Sequence, residues 1–230
     1  VSMCGFAGFI DSRSRYSESH RKAICEQMVE QIGHRGPDSS GLKSIKSLSA
    51  VVGFARLSIV DLSPTGDQPM VSDDGKYTFV MNGEIYNHKK IRQHLEENGE
   101  TFKGTSDTEV ALKLIQRLGT QRALTQFEGM FAIVLINNSD GSITMARDRL
   151  GEKPLYFAQM NGSLLFGSQL KSFYQHPLWN GVINKNALAT YLRFGYIPSP
   201  LTIFENCEKL RPGEVVRVNS DGEVEKTNYW

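Results

Sequence analysis

The sequence predicts one α+β domain of layered type. Short apolar segments that end at turn dipeptides recur along the chain and indicate antiparallel strands. Fewer segments carry apolar residues at helical spacing on one face, and such helices could cover the sheets. The 230 residues contain no internal repeat, low-complexity block or linker-like stretch, so nothing in the sequence divides the chain.

The predicted strands are apolar or alternating segments. Two glycines in the first strand indicate close approach of another backbone. The continuous apolar run 131–136 indicates a strand that is buried on both faces. The predicted strands are 4–10, 50–60, 77–81 (closed by Asn82-Gly83), 131–136, 142–147, 156–159, 164–167 and two last strands on either side of Asp221-Gly222.

The predicted helices follow from apolar spacing and from capping residues. The clearest one begins at Ser106 and ends at Gly119. Its first residues fit a capping box, in which the Ser106 hydroxyl and the Glu109 carboxylate satisfy free backbone N–H groups. The other predicted helices are 17–33, 87–98 and 184–194.

Composition excludes several classes of function. The formal net charge is +1, from 26 basic and 25 acidic residues, which argues against a nucleic-acid or anionic-membrane surface. No apolar run approaches the ~20 residues of a membrane helix. Three widely spaced cysteines and five scattered histidines predict neither a disulfide framework nor a metal site, and reducing conditions make the cytoplasm the expected location.

Cys4 is the leading candidate for a nucleophile. Most free cysteines are small buried apolar residues, and that interpretation stays open for Cys4. Its position favours another one, since removal of Met3 would make Cys4 the first residue. A thiol with a pKa near 8.5 would then lie beside an α-amino group with a pKa of about 7.7–8.0, which can serve as its base.

Asn82 and Gly83 are candidates for an oxyanion hole. An Asn amide and the next Gly backbone N–H can both donate to developing negative charge. The alternative is a hairpin turn, because Asn-Gly is a common turn dipeptide.

Arg56, Glu84 and Asp107 are candidates for binding a zwitterionic substrate. The planar guanidinium of Arg56 suits a carboxylate, although a solvated arginine is the alternative. Glu84 and Asp107 could hold an ammonium. Asp107 would equally serve as an ordinary acid in the first turn of a helix.

Six segments in register carry a resemblance to a known family. Residues 3–10 (MCGFAGFI) resemble the amino terminus of class II glutamine amidotransferases, which are N-terminal nucleophile hydrolases. The other five resemble the asparagine synthetase branch of that family: 34–38 (HRGPD), 56–61 (RLSIVD), 82–87 (NGEIYN) with Ser106-Asp107, 146–156 (ARDRLGEKPLY) and 195–200 (GYIPSP).

The resemblance implies a four-layer αββα sandwich of the N-terminal nucleophile hydrolase type, and a role for each matching residue. Cys4 would be the nucleophile, and Asn82 and Gly83 would form the oxyanion hole. The implied glutamine-binding residues are Arg56, Leu57, Ser58, Ile59, Val60, Glu84 and Asp107. No metal or cofactor is expected for this domain.

The resemblance also implies a larger assembly. Ammonia released from glutamine would pass to a C-terminal synthetase domain that uses ATP and magnesium to amidate a carboxylate, most simply that of aspartate. Glutamine and that domain are the expected partners, with a homodimer as a further expectation. Neither nucleic acid nor membrane is expected as a partner.

Three departures from the family pattern bear on these expectations. Residues 1–3 precede Cys4 and are interpreted as a leader or as additions from cloning, so we expect a form that retains them to be inactive. The amidotransferase domain is predicted over 4–230, without the Ser-Gly-Gly loop of the synthetase domain. Gln169 stands where the family usually carries Glu.

Three other functions stay open. A non-catalytic binding or regulatory module could keep the same fold. A hydrolase for other amides, or an amidotransferase for another acceptor such as a sugar carboxylate, would also use an amino-terminal cysteine.

Overall fold

The computed structural model describes residues 3–58, 61 and 63–230. The described residues form strands at β1 (Gly5–Asp11), β2 (Ser39–Ile45), β3 (Ala50–Arg56), β4 (Met70–Val71), β5 (Tyr77–Ile85), β6 (Gly129–Asn137), β7 (Ile143–Arg147), β8 (Tyr156–Met160), β9 (Ser163–Gly167), β10 (Cys207–Lys209), β11 (Glu214–Val218) and β12 (Val224–Asn228). The α-helices are α1 (Glu18–Glu30), α2 (His88–Glu97), α3 (Asp107–Leu118), α4 (Thr120–Gln126) and α5 (Lys185–Phe194). Among these, no helix is long and apolar enough to cross a membrane.

The strands form two antiparallel sheets, ordered β10-β8-β9-β1-β3-β2 and β12-β11-β7-β6-β5-β4. One apolar cluster, which includes Phe6 and Val134, fills the space between the sheets. A second cluster packs α2, α3 and α4 on the outer face of the second sheet. A third packs α1 on the outer face of the first sheet. The four layers are therefore helix, sheet, sheet and helix, as predicted.

Strand β6 shows how the sequence builds two of these cores at once. Its side chains alternate, because successive residues of a strand point to opposite faces. Phe131, Ile133 and Leu135 join the cluster under the helices, and residues 132, 134 and 136 join the cluster between the sheets. The prediction of a strand buried on both faces is confirmed.

Some predicted bounds were wrong. Strand β5 continues to Ile85, so Asn82 and Gly83 pair with Ala132 and Phe131 inside the sheet and do not form a turn. Strand β3 ends at Arg56. The hairpin interpretation failed because nine residues of ladder pairing to β6 outweigh the local turn preference of an Asn-Gly dipeptide.

Sequence patterns missed four elements: β2, β4, β10 and α4. Strand β2 is a largely polar edge strand without a clean alternation. The other three have two, three and seven residues, too short for a recognisable period. Helix α5 was predicted, but it buries only Ala187 and leaves Leu188, Leu192 and Phe194 exposed, so it does not cover a sheet.

Candidate active site

Cys4 lies half-buried at the start of β1, the strand between β9 and β3 in the first sheet. The Leu57 N–H donates to Cys4 Sγ at 3.3 Å, and the thiol is 3.3 Å from the Leu57 carbonyl oxygen. Burial raises the pKa of the Cys4 thiol, while the Leu57 N–H and the cations Arg56 and Arg35 lower it in part. Because the net shift is upward, the thiol needs a base to become a nucleophile.

One small cavity collects most of the predicted site residues. Its lining comes from the ends of β1, β3 and β5, from the segment after β3 and from the start of α3. The predicted residues in its lining are Cys4, Arg56, Leu57, Ser58, Gly83, Glu84 and Asp107. Ile59 and Val60 lie outside the described residues. Asn82 does not line the cavity and instead contacts the backbone of Cys4.

Asn82 and Arg35 hold the backbone of Cys4. The Asn82 amide, oriented to satisfy both neighbours, donates from its nitrogen to the Cys4 carbonyl oxygen at 2.9 Å and accepts from Arg35 Nη2 at 3.2 Å. Arg35 Nε donates to the same Cys4 oxygen at 2.9 Å. Both side chains are buried, so these hydrogen bonds fix the position of the Cys4 backbone just before β1.

Gly83 sits where only glycine fits. Its φ is +154°, and a Cβ atom there would lie 2.0 Å from the Met130 carbonyl oxygen and 2.6 Å from Phe131 Cα. Both obstacles are backbone atoms of the paired strand β6, which cannot move aside cheaply. The glycine therefore lets β5 keep its pairing while its backbone borders the cavity.

Arg56 is buried at the end of β3 and is not a solvated arginine. Its Nη1 forms an ion pair with Asp67 Oδ1 at 2.5 Å, and Asp67 is itself 56% exposed. Nη2 donates to the carbonyl oxygens of Ser63, at 3.1 Å, and Asp61. The guanidinium therefore already has a carboxylate partner, held by an exposed side chain at the rim.

Asp107 and Glu84 bring two carboxylates to the same cavity. Asp107 is buried at the first position of α3 and accepts from the Ile85 N–H at 2.8 Å. Burial raises the pKa of Asp107, and Glu84 adds to the shift, against the Ile85 N–H and His88. A cation bound between Glu84 and Asp107 would relieve this shift.

The cap of α3 sets the position of Asp107. Ser106 Oγ accepts from the Glu109 N–H at 3.2 Å, which confirms the predicted cap. The Glu109 carboxylate does not reach back to Ser106, and accepts instead from the N–H groups of Lys103, at 2.8 Å, and Gly104, at 2.9 Å. The second half of the predicted capping box was therefore wrong: Glu109 orders the loop before the helix.

Asp61 is a supporting residue that ends the motif 56–61 and was not predicted as part of the site. Its carboxylate accepts from Ser63 N–H at 2.8 Å, Ser63 Oγ at 2.7 Å, Thr65 Oγ1 at 3.1 Å and Thr105 N–H at 2.9 Å. Burial opposes ionisation of Asp61, but these hydrogen bonds together lower its pKa. Asp61 thus ties the segment after β3 to the loop that precedes α3.

Gln68 is a second supporting residue, and no sequence motif predicted it. Its Oε1 accepts from the Met81 N–H at 2.6 Å, and its Nε2 donates to the Met81 carbonyl at 3.1 Å and to Thr108 Oγ1 at 3.3 Å. The side chain therefore joins β5 to α3 beside the cavity that it helps to line.

Comparison with known proteins finds a matching family and relatives that cover nearly the whole chain. Residues 3–230 match the sequence model of a family described as a glutamine amidotransferase domain. The chain is 35% identical over 229 residues to glutamine-hydrolyzing asparagine synthetase 1 of Bacillus subtilis (strain 168), a match that covers 99% of this chain and 35% of that relative. It is 36% identical over 247 residues to putative glutamine-hydrolyzing asparagine synthetase 2 of Methanocaldococcus jannaschii, covering 99% and 46%. The chain thus spans less than half the length of these relatives.

A solved structure confirms the fold class. The glutamine phosphoribosylpyrophosphate amidotransferase from B. subtilis superimposes with a TM-score of 0.72, covering 99% of this chain and 49% of that one. At 18% sequence identity the likeness concerns the fold alone.

Proposed function

The chain belongs to the glutamine amidotransferase domain family, and from that premise we propose that it hydrolyses glutamine to glutamate and ammonia with Cys4 as nucleophile. The observation that carries the proposal is the convergence on one cavity of the Cys4 thiol, the Gly83 backbone, a buried arginine and two carboxylates. These groups come from separate segments of the chain and match the functional groups of glutamine: an amide at one end, an ammonium and a carboxylate at the other.

Recognition of the zwitterion follows from the charges in the cavity. Glu84 and Asp107 bind the α-ammonium, whose charge restores the ionised form that burial disfavours in Asp107. Arg56 binds the α-carboxylate in competition with Asp67. Since Asp67 is largely exposed, its carboxylate can turn to water when the substrate carboxylate takes its place.

The reaction then runs through a thioester. The α-amino group of Cys4, in a form that begins there, takes the thiol proton, and Sγ attacks the side-chain amide carbon of glutamine. The Gly83 N–H donates to the oxyanion, and one such donor is worth about 2.7–4 kcal/mol of transition-state stabilisation. We propose the second hydrogen of the Asn82 amide nitrogen as the other donor, although Asn82 lies outside the cavity lining in this structure. The proton passes to the leaving nitrogen, ammonia departs, and water hydrolyses the glutamyl thioester to glutamate and the free thiol.

The fate of the ammonia is proposed from the relatives. Two of them are named as glutamine-hydrolyzing asparagine synthetases and are more than twice as long as this chain. We propose that a synthetase portion, with ATP and magnesium, receives the ammonia and amidates aspartate. Another carboxylate acceptor, such as that of a sugar, is the alternative. The homodimer and the cytoplasmic location stay predictions.

The test is glutamate release from glutamine by protein that begins at Cys4. Cys4→Ala, which removes the thiol and leaves no other nucleophile at this position, is the control. We expect release that the Cys4→Ala form loses and that the chain with residues 1–3 does not show. Release by the Cys4→Ala form would exclude Cys4 as nucleophile, and no release by any folded form would favour a non-catalytic module.

A second substrate separates the remaining alternative. An amide with the glutamine side chain but without the α-amino group should react at least tenfold more slowly, because Glu84 and Asp107 would be left without their cation. Equal rates for the two amides would favour a hydrolase that acts on other amides.

A further inference from the structure

The loop between β7 and β8 is built to hold one lysine. The carboxylate of Asp148, which is buried, accepts from the N–H groups of Leu150 at 3.1 Å, Glu152 at 2.9 Å and Lys153 at 2.9 Å. Arg147 Nε donates to the Lys153 carbonyl oxygen at 2.7 Å. The backbone of Lys153 is therefore fixed on both sides by buried charged side chains.

The side chain of Lys153 turns inward, toward the start of the chain. It is only 6% exposed, and its Nζ lies 3.0 Å from the sulfur of Met3, the residue bonded to the Cys4 nitrogen. Within the part of the chain that the structure describes, Lys153 has no ion pair with a carboxylate. A buried ammonium with only a thioether beside it is costly, and so calls for a role.

Lys153 and Arg35 are cations that both lie close to the start of β1. Arg35, at the end of the short 3-10 helix Gly33–Arg35, donates to the Cys4 carbonyl oxygen. The other charged groups that face Lys153 are Glu152, Asp148 and the Cys4 thiol. Burial lowers the pKa of Lys153 most and Arg35 adds to the shift, in spite of these three groups.

We propose that Lys153 is a positioning residue that keeps the α-amino group of Cys4 neutral and ready to accept the thiol proton near pH 7. The proposal rests on the proposed function, in a form that begins at Cys4. In the present chain the Lys153 ammonium contacts the residue that is bonded to the Cys4 nitrogen. A positive charge near an amine disfavours a second one, and the same ammonium favours the thiolate left after proton transfer. Lys153 acts through the Cys4 amine and does not touch glutamine.

The amine can be titrated directly. In protein that begins at Cys4 and carries ¹⁵N-cysteine, the amine nitrogen resonates far from the amide nitrogens of Cys25 and Cys207, and its shift reports protonation. We expect Lys153→Met to raise the titration midpoint by about one pH unit, and Lys153→Arg to keep the wild-type midpoint. Lys76→Met, which removes a distant exposed cation, is the control and should leave the midpoint unchanged.

The pH profile of glutaminase activity provides the second readout. In Lys153→Met, the acidic limb of the kcat/KM profile should shift to higher pH together with the midpoint of the amine. In Lys153→Arg it should lie at the wild-type pH. A merely structural loss would lower kcat/KM without this shift in pH. If neither wild type nor any variant hydrolyses glutamine, the proposed function is wrong. The ¹⁵N titration of the Cys4 amine would still test the role of Lys153.

One measurement needs no variant, in case Lys153→Met does not fold. The amine of the wild-type protein should titrate below that of a short peptide with the same first residues, which titrates at about 7.7–8.0. An equal or higher midpoint in the protein, or equal midpoints in wild type and Lys153→Met, would overturn the proposal.

Discussion

His176 is a buried histidine whose protonation should weaken the fold at mildly acidic pH. Its side chain is 1% exposed, and its Nδ1 accepts from the Leu178 N–H at 3.3 Å, which leaves the proton of the neutral ring on Nε2. Among the described residues Nε2 has no partner, and the Phe9 ring lies 4.6 Å away. Burial lowers the pKa of His176 to about 4.

The size of the effect follows from proton linkage. A histidine in the unfolded chain titrates near pH 6.5, so below that pH the unfolded chain binds a proton that the folded chain excludes. The contribution to stability is therefore complete above pH 6.5 and is lost as the pH falls toward 4. The gap between the two pKa values corresponds to about 3 kcal/mol in total, of which about 2 kcal/mol is lost by pH 5.

The perturbation is His176→Asn, whose amide oxygen can accept from the Leu178 N–H and which does not titrate. Urea unfolding of wild type and variant at pH 7.5 and pH 5.0 measures the difference. We expect the smaller Asn to cost stability at pH 7.5, and the variant to lose about 2 kcal/mol less than wild type on acidification. Asp107 and other buried acids also titrate, but they are common to both proteins and cancel in the comparison.

The control is His94→Asn on α2, where the side chain is exposed. It should follow wild type at both pH values. Equal losses of stability on acidification in wild type and His176→Asn would refute the argument, because the proton uptake would then lie elsewhere.

Two further predictions concern the cavity. Gly83→Ala places a Cβ atom 2.0 Å from the Met130 carbonyl oxygen, so chemical denaturation should show a loss of at least 1–3 kcal/mol, more than for Gly99→Ala, which has positive φ but no atom within 4 Å. Asp107→Asn keeps the shape of the side chain but removes its charge, so the KM for glutamine should rise by about one to two orders of magnitude with little change in kcat or in thermal unfolding. An unchanged KM would remove Asp107 from the ammonium site.

Local patterns predicted most helices and strands because each depends on residues close in sequence. Ser106 caps α3, and the continuous apolar run in β6 fills two cores. Patterns failed where pairing over a long distance decides the conformation. Asn82 and Gly83 read locally as a turn, and only their register against β6 shows that they continue the strand.

The site residues were likewise predicted in part from the sequence and in part only from the structure. The chemical types of Cys4, Arg56, Gly83, Glu84 and Asp107, together with the family resemblance, were sufficient to choose them from the sequence. The sequence did not predict three features of the site. These are the convergence of the residues on one cavity, the hydrogen bonds of Asn82 and Arg35 to the Cys4 backbone, and the ion pair of Asp67 with Arg56.

What the sequence by itself determined is the layered fold and a set of side chains whose chemistry suits an amide substrate with a zwitterionic end. Those properties follow from composition, spacing and short motifs, which are local. What only the tertiary structure decided is the placement of Asp61, Gln68 and Lys153 around the site. Their roles depend on hydrogen bonds and charges between segments that lie far apart in sequence, and burial makes those few contacts strong enough to matter.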